Sequence, residues 1–277
     1  MKVRDLKVCV LRIEGTNCEE ESNLAFKRLG ANPEKVHLKQ LLGQSPAGLK
    51  RSLSDYQILM IPGGFSAGDY VRAGAILAAR IKAGLSKDLV GFVEDGKPVL
   101  GICNGFQVLV ELGLLPAFDA TMAEIPEAVL NTNDSARFEC RPTYLRHDNG
   151  GKCIFTRGVD KGKVLLIPSA HAEGKFMLPL DREERLLERL VDNDQVVFRY
   201  TNGDGEDGPG YPWNPNGALN DIAGICSPQG NVFGMMPHPE RVFSRYTHPD
   251  WTRCLPGIRG DGMAIFESVI EYAAHKF

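Results

Sequence analysis

Apolar and polar residues fall into alternating blocks along the first half of the chain. Residues 7–13 (KVCVLRI), 57–61 (QILMI) and 99–102 (VLGI) are short, nearly continuous apolar runs, and 35–38 is a shorter one. Such runs read as strands buried on both faces. Between them lie stretches with helical spacing: 19–29, closed by Gly30; 74–82 continued by 89–94 up to Gly96; and 106–112, which is apolar on most faces. Strands separated by helices predict βαβ units, a parallel sheet and right-handed crossovers. In the second half, 137–145, 164–168 and 195–200 read as strands with more polar alternation, interrupted by Gly and Pro loops. These predict an antiparallel extension of the same sheet. Residues 222–226 and 231–236, joined by Ser227-Pro228-Gln229-Gly230, predict a hairpin. Residues 181–191 are strongly charged, with leucines at 186, 187 and 190, and predict a surface helix or turn. A last helix is expected from Asp261 as N-cap, with 265, 266, 269, 270 and 273 as its apolar face. No internal repeat or linker interrupts the pattern. The expectation is an α/β fold: an open, mostly parallel sheet flanked by helices on both faces, with additional antiparallel strands in the second half, forming one domain over residues 1–277.

Composition narrows the function. Lys and Arg total 32 and Asp and Glu 35, a net charge of −3 (32 − 35) with no basic block. That balance argues against electrostatic binding to nucleic acid or anionic membranes. No apolar run approaches the ~18 residues of a membrane span. The first seven residues carry charges where a signal peptide needs an apolar stretch, so a cytoplasmic location is expected. Cysteines stand at 9, 18, 103, 140, 153, 226 and 254, an odd number with irregular spacing and no C-x-x-C. This disfavours both a disulfide framework and a zinc site, so no metal is expected and most of these thiols should be small buried apolar groups.

One cysteine stands apart. In Gly101-Ile102-Cys103-Asn104-Gly105 an apolar strand ends, a G-x-C-x-G pentad follows, and a helix begins. This is the cysteine counterpart of the serine nucleophile elbow. Small residues at 101 and 105 permit close backbone approach, and the helix start offers unpaired N–H groups and the positive end of a dipole to a sulfur anion. The plain alternative is a packed core cysteine beside a tight turn. A partner is available downstream: Pro237-His238-Pro239-Glu240 follows a predicted strand. In extended chain, i and i+2 share a face, and the two prolines favour that conformation, so Glu240 is placed to orient His238 as base toward a thiol. A solvated surface loop is the alternative there. A third segment, Pro62-Gly63-Gly64-Phe65, follows the 57–61 strand. A Gly63-Gly64 turn and the Asn104 N–H are candidate donors to a developing oxyanion. A phosphate loop is disfavoured by the missing G-K-[ST] ending, and a simple turn is the bland alternative.

Taken together, Gly101-Ile102-Cys103-Asn104-Gly105-Phe106-Gln107 and Pro237-His238-Pro239-Glu240 resemble the nucleophile and His/Glu motifs of the class I (triad) glutamine amidotransferases. Four further blocks are similar to the glutaminase subunits of phosphoribosylformylglycinamidine synthases: Glu14-Gly15-Thr16-Asn17-Cys18, residues 63–72, residues 169–176 and Asn214-Pro215-Asn216-Gly217. Ala172 stands where that family often has Gly, and Glu19 where it often has Asp. The resemblance implies that Cys103 attacks the carboxamide of glutamine, that His238 moves the proton and that Glu240 holds His238. It further implies that Gln107 helps bind glutamine and that Gly63, Gly64 and Asn104 form the oxyanion hole. Ammonia would pass to a separate synthetase subunit, which holds ATP and Mg and converts formylglycinamide ribonucleotide to the amidine. A small third subunit would join the complex. No cofactor is implied in this chain.

Two features fall outside that scheme. His171 and Glu173 could pair, but no cysteine elbow accompanies them, and a structural or partner-facing role is expected. The acidic, Gly-rich loop 202–216 lacks the ligand alternation of an EF-hand and is expected to be a flexible segment facing the synthetase. The competing readings are a free-standing cysteine amidase on the same sheet and a non-enzymatic interaction protein carrying a relic triad. The intact Cys103, His238 and Glu240 disfavour the latter.

Overall fold

The computed structural model describes residues 1–253 and 257–277. The elements run β1 (Lys7–Arg12), α1 (Glu19–Arg28), β2 (Asn32–His37), α2 (Leu38–Leu41), β3 (Ile58–Ile61), α3 (Ala75–Glu94), β4 (Val99–Ile102) and α4 (Asn104–Glu111). They continue with β5 (Val129–Thr132), β6 (Glu139–His147), β7 (Val164–His171), β8 (Glu173–Met177), α5 (Glu183–Asp192), β9 (Val196–Thr201), β10 (Ile222–Cys226), β11 (Val232–Met235) and α6 (Met263–Lys276).

The main sheet has the order β2-β1-β3-β4-β11-β10-β9-β6-β7. Its first five strands are parallel, and from β11 onward every pairing is antiparallel. The expected antiparallel extension is thus on the same sheet, and 222–226 does form a hairpin with β11. Strands β3, β4 and β11 are buried at every residue, which is why their sequences lack alternation. Strand order reverses at β1, since β1 leads outward to β2 whereas β3 leads inward to β4. Right-handed crossovers then set α1 and α3 on opposite faces. On one side α1 packs against α6 through an edge-on Phe26–Phe266 pair, 5.2 Å between ring centroids, worth about 0.5–1.5 kcal/mol beyond its buried area. On the other, α3 packs against α4.

Several boundaries differ from the sequence reading. The two predicted helical pieces of 74–94 are one 20-residue helix. Helix α4 begins at Asn104 rather than 106, so Cys103 itself is the N-cap. Strand β2 starts at Asn32 and runs through Pro33, tolerated because β2 is an edge strand. Asp261 is not the N-cap of α6, a position held by Gly262. Its carboxylate instead accepts the Leu166 N–H at 2.7 Å, fastening the last helix to β7. Strands β5 and β8 went unrecognised: they form a separate two-stranded sheet, each too short and polar to show a pattern. The predicted apolar face of α6 is buried. Cys9, Cys18, Cys103, Cys153 and Cys226 are buried and Cys140 is exposed, all as free thiols, while Cys254 lies outside the described residues. The 202–216 loop is tied down locally by the Asp204 and Glu206 N–H groups, which donate to Asn202 Oδ1, and its end is buried, with Asn216 Nδ2 donating to Gly174 O at 2.8 Å.

Strands β1, β3, β4 and β11 end side by side, so the segments 13–18, 62–69, 103–107 and 236–240 meet at one carboxyl edge. Ligands of open α/β sheets bind at that edge, near the point where strand order reverses. The far edge curls over it: His238 N–H donates to Pro168 O of β7 at 2.8 Å.

Candidate active site

Cys103 occupies the sharp turn between β4 and α4 with φ 52° and ψ −107°. A left-handed φ at a side-chain-bearing residue costs about 1–2 kcal/mol and persists only where the surroundings hold it. Here the Cys103 N–H donates to Met235 O at 2.8 Å and its carbonyl accepts the Gln107 N–H at 3.1 Å. The flanking glycines are required by contact. A Cβ on Gly105 would lie 1.9 Å from Ile61 O, and one on Gly101 would lie 2.6 Å from Gly105 O. Cys103 is nearly buried (5 % exposed), and its sulfur sits 3.5 Å from Ala170 O. The N–H groups of the first turn of α4, Asn104 included, have no carbonyl four residues back within the helix to bond to.

His238 lies just beyond β11, and its Nδ1 pairs with Glu240 Oε1 at 2.5 Å with both side chains buried. The i, i+2 spacing works as the sequence reading anticipated, although 239–242 form a turn of 3-10 helix rather than extended chain. Among the described residues His238 Nε2 has no tight hydrogen-bond partner. Burial opposes a charged imidazole here. The Glu240 carboxylate and then the Cys103 sulfur outweigh it, and His238's pKa is raised well above its ordinary value, with looser hydrogen bonding to Cys103 and Cys18 adding to the effect. The structure therefore brings Cys103, His238 and Glu240 into one buried group.

Gly63 is the wedge between them. A Cβ there would meet His238 Cε1 at 2.8 Å, Cys18 Sγ at 3.3 Å and Cys103 Cβ at 3.4 Å. Gly64, at φ +143°, is pressed against the 15–17 turn, where a Cβ would lie 2.7 Å from Asn17 N. The Gly63 carbonyl accepts the Cys18 N–H at 3.2 Å, so the 14–18 block serves to seat the glycine turn. Gln107 is close to Cys103, but its side chain bonds within the protein: Oε1 accepts from Asn104 Nδ2 at 2.9 Å and Nε2 donates to Glu173 O.

Cys18 is the participant the sequence reading gave no role. Its sulfur accepts from Arg241 at 3.2 Å, and its donor atom, those of His238 and of Glu240 lie within 4.8 Å of one another. Those three could in principle ligate a metal, but the adjacent guanidinium is a fixed positive charge that opposes a cation. The only signal was its place in a block singled out by resemblance. His171 and Glu173 do not pair. His171 Nδ1 meets Asn133 Oδ1 at 3.1 Å; since the Asn133 amide donates to Arg137 O and His171 O, this oxygen assignment puts the proton on Nδ1. Burial, then the charge of His238, pull the His171 pKa down to about 3. It is neutral and takes no part in proton transfer at neutral pH.

Residues 5–273 match the family model of the CobB/CobQ-like glutamine amidotransferase domain. The chain is 53% identical over 278 residues to phosphoribosylformylglycinamidine synthase subunit PurQ of Archaeoglobus fulgidus, covering 98% of each chain. It is 46% identical to the protein of the same name from Picrophilus torridus, covering 87% of this chain and 88% of that one. Among solved structures it is similar to a chain in the structure of PurLQS from Thermotoga maritima, with a TM-score of 0.71, 30% identity, and coverage of 97% of this chain and 99% of that one. The glutaminase domain of Trypanosoma brucei CTPS with bound acivicin shares the fold alone, with a TM-score of 0.51 and 12% identity over 98% of this chain and 95% of that one. With residues 5–273 matched and similarity to those synthase subunits from end to end, the chain belongs to the CobB/CobQ-like glutamine amidotransferase family, in its phosphoribosylformylglycinamidine synthase subunit branch.

Proposed function

We propose that this chain is the glutaminase subunit of a phosphoribosylformylglycinamidine synthase, acting as one glutamine amidotransferase domain over residues 1–277. Cys103 gives its thiol proton to His238, and its Sγ attacks the side-chain amide carbon of glutamine. The carbonyl π electrons move to oxygen, and the resulting oxyanion is held by N–H groups of the Gly63-Gly64 turn and Asn104. As the oxyanion collapses, the C–N bond breaks and His238 gives its proton to the leaving nitrogen, releasing ammonia and a γ-glutamyl thioester. Water then attacks the thioester while His238 takes a proton from it, and glutamate leaves with the thiolate restored. Glu240 holds the imidazole orientation and balances its charge in both halves. Gln107 and Asn104 shape the glutamine pocket.

Ammonia passes to a separate synthetase subunit, which uses ATP and Mg to convert formylglycinamide ribonucleotide to the amidine, with a small third subunit in the assembly. No described helix is long and apolar enough to cross a membrane, and a cytoplasmic location fits this pathway. The observation that carries the reading is the buried Cys103–His238–Glu240 group. A free-standing amidase would use the same chemistry, but the end-to-end similarity to synthase subunits favours the subunit.

The test reconstitutes the complex with Cys103→Ser. Glutamine-dependent synthesis should fall by at least about a thousandfold, while synthesis from added ammonia stays at the wild-type rate. Loss of both, or retention of both, contradicts the division of labour.

A further inference from the structure

We infer that Glu173, which no step of the chemistry above uses, is a positioning residue that closes a ring of hydrogen bonds holding the loop 66–73 against Asn104 and Gln107, the start of the helix that follows Cys103. This rests on the glutaminase reading and adds to it the device that keeps the glutamine pocket in shape. The ring can be followed bond by bond. At one end of the loop the Ser66 N–H donates to Asn104 Oδ1 at 3.1 Å. Asn104 Nδ2 donates to Gln107 Oε1, and Gln107 Nε2 to the backbone carbonyl of Glu173. At the other end the Ala73 N–H donates to the Glu173 carboxylate, Oε2, at 3.0 Å. Both ends of the loop are thus joined through the residue that follows the nucleophile, the first turn of its helix, and a strand from the far half of the chain.

The loop needs such a clamp. Ala67, Gly68 and Asp69 are consecutive residues at positive φ, 53°, 72° and 51°, followed by Gly74 at 78°. Backbone of this kind stays in place only where its surroundings over-determine it. Its first half is tied to the chain after β1, with Phe65 N–H on Gly15 O at 2.9 Å and Ala67 N–H on Glu14 O at 2.8 Å. Its second half is exposed at Tyr70 and Val71. There Asp69 bonds to Gly74 N–H and Asn104 Nδ2, each at 3.2 Å, and Glu173 supplies the side-chain tether from β8. At Gly74 the loop presses on α4, where a Cβ would lie 2.8 Å from Val108 N and 3.1 Å from Gln107. Holding Ala73 therefore fixes the loop, Gln107 and Asn104 as one unit.

Positioning by a hydrogen-bond acceptor depends on side-chain length and tolerates loss of charge, whereas direct capture of a substrate ammonium depends on charge. The reconstituted complex is assayed with wild type, Glu173→Gln, Glu173→Asp and Glu173→Ala. Glu173→Gln keeps the length and an acceptor oxygen, and should retain the wild-type KM for glutamine. Glu173→Asp and Glu173→Ala cannot reach Ala73, and should raise that KM roughly tenfold with a much smaller change in kcat. Both should leave ammonia-dependent synthesis unchanged and speed hydrogen exchange at the Ala73 and Gly74 amides. A Glu173→Gln variant as impaired as Glu173→Ala, or wild-type KM and exchange in Glu173→Asp, overturns the inference. If Glu173→Ala does not fold, the Gln and Asp variants decide alone. A wild-type complex with no glutamine-dependent synthesis overturns the functional reading instead.

Discussion

At the scale of single residues, burial sets two histidines to opposite tasks. His238 is buried beside a carboxylate and a sulfur and holds its proton. His171 is buried beside Asn133 and feels the positive charge of His238, so it refuses one. The second effect has a consequence for stability. Above pH ~6.5 His171 is neutral in both folded and unfolded chains, so its contribution is constant. Below that, the unfolded chain binds a proton that the folded one declines until pH approaches about 3. Folding stability therefore falls with pH across this window, by about 1.4 kcal/mol per unit from this residue. Urea unfolding at pH 7 and pH 5 should show that His171→Gln loses about 2 kcal/mol less than wild type over that interval. Equal losses would mean that His171 is not held neutral.

At the scale of elements, the elbow works because a strand, a turn and a helix approach more closely than side chains allow. Gly105→Ala places a methyl against Ile61 O at 1.9 Å, a backbone atom fixed in β3. Denaturant unfolding should show a loss of at least about 1–3 kcal/mol, together with reduced glutaminase activity as Cys103 shifts. An unchanged midpoint and activity would show that the elbow does not depend on this contact. This part of the site is legible in the sequence because its signals are local: Gly101 and Gly105 flank Cys103, and Glu240 is two residues from His238. The apolar runs that became β1, β3 and β4 are legible for the same reason, since burial on both faces leaves no polar alternation. What the sequence hides is tertiary. Asp261 has the chemistry of an N-cap but spends its carboxylate on Leu166 in β7. Cys18 meets His238 only because β1 and β11 end at the same edge. Glu173 reaches Gln107 across 66 positions, and β8, which carries it, is recognisable only through its pairing with β5.

At the scale of the molecule, the parallel half supplies Cys103, Gly63 and His238 from the ends of β4, β3 and β11, and the antiparallel half packs β7 and β8 against that edge. Both side chains are thereby buried: Cys103 is 5 % exposed and His238 2 %. A buried site suits a subunit whose product, ammonia, must reach a partner rather than the solvent, and the exposed Tyr70 and Val71 lie on the 66–73 loop, which bonds to Asn104 beside Cys103. The most direct test of the central claim is to trap the γ-glutamyl thioester by rapid acid quench of the reconstituted complex turning over glutamine, and to locate it by peptide mass spectrometry. The adduct is expected on the peptide bearing Cys103, and none when Cys103→Ser replaces the wild-type subunit. An adduct on Cys18, the other sulfur beside His238, or no adduct on Cys103 while glutamine-dependent synthesis proceeds under conditions that preserve thioesters, would contradict it.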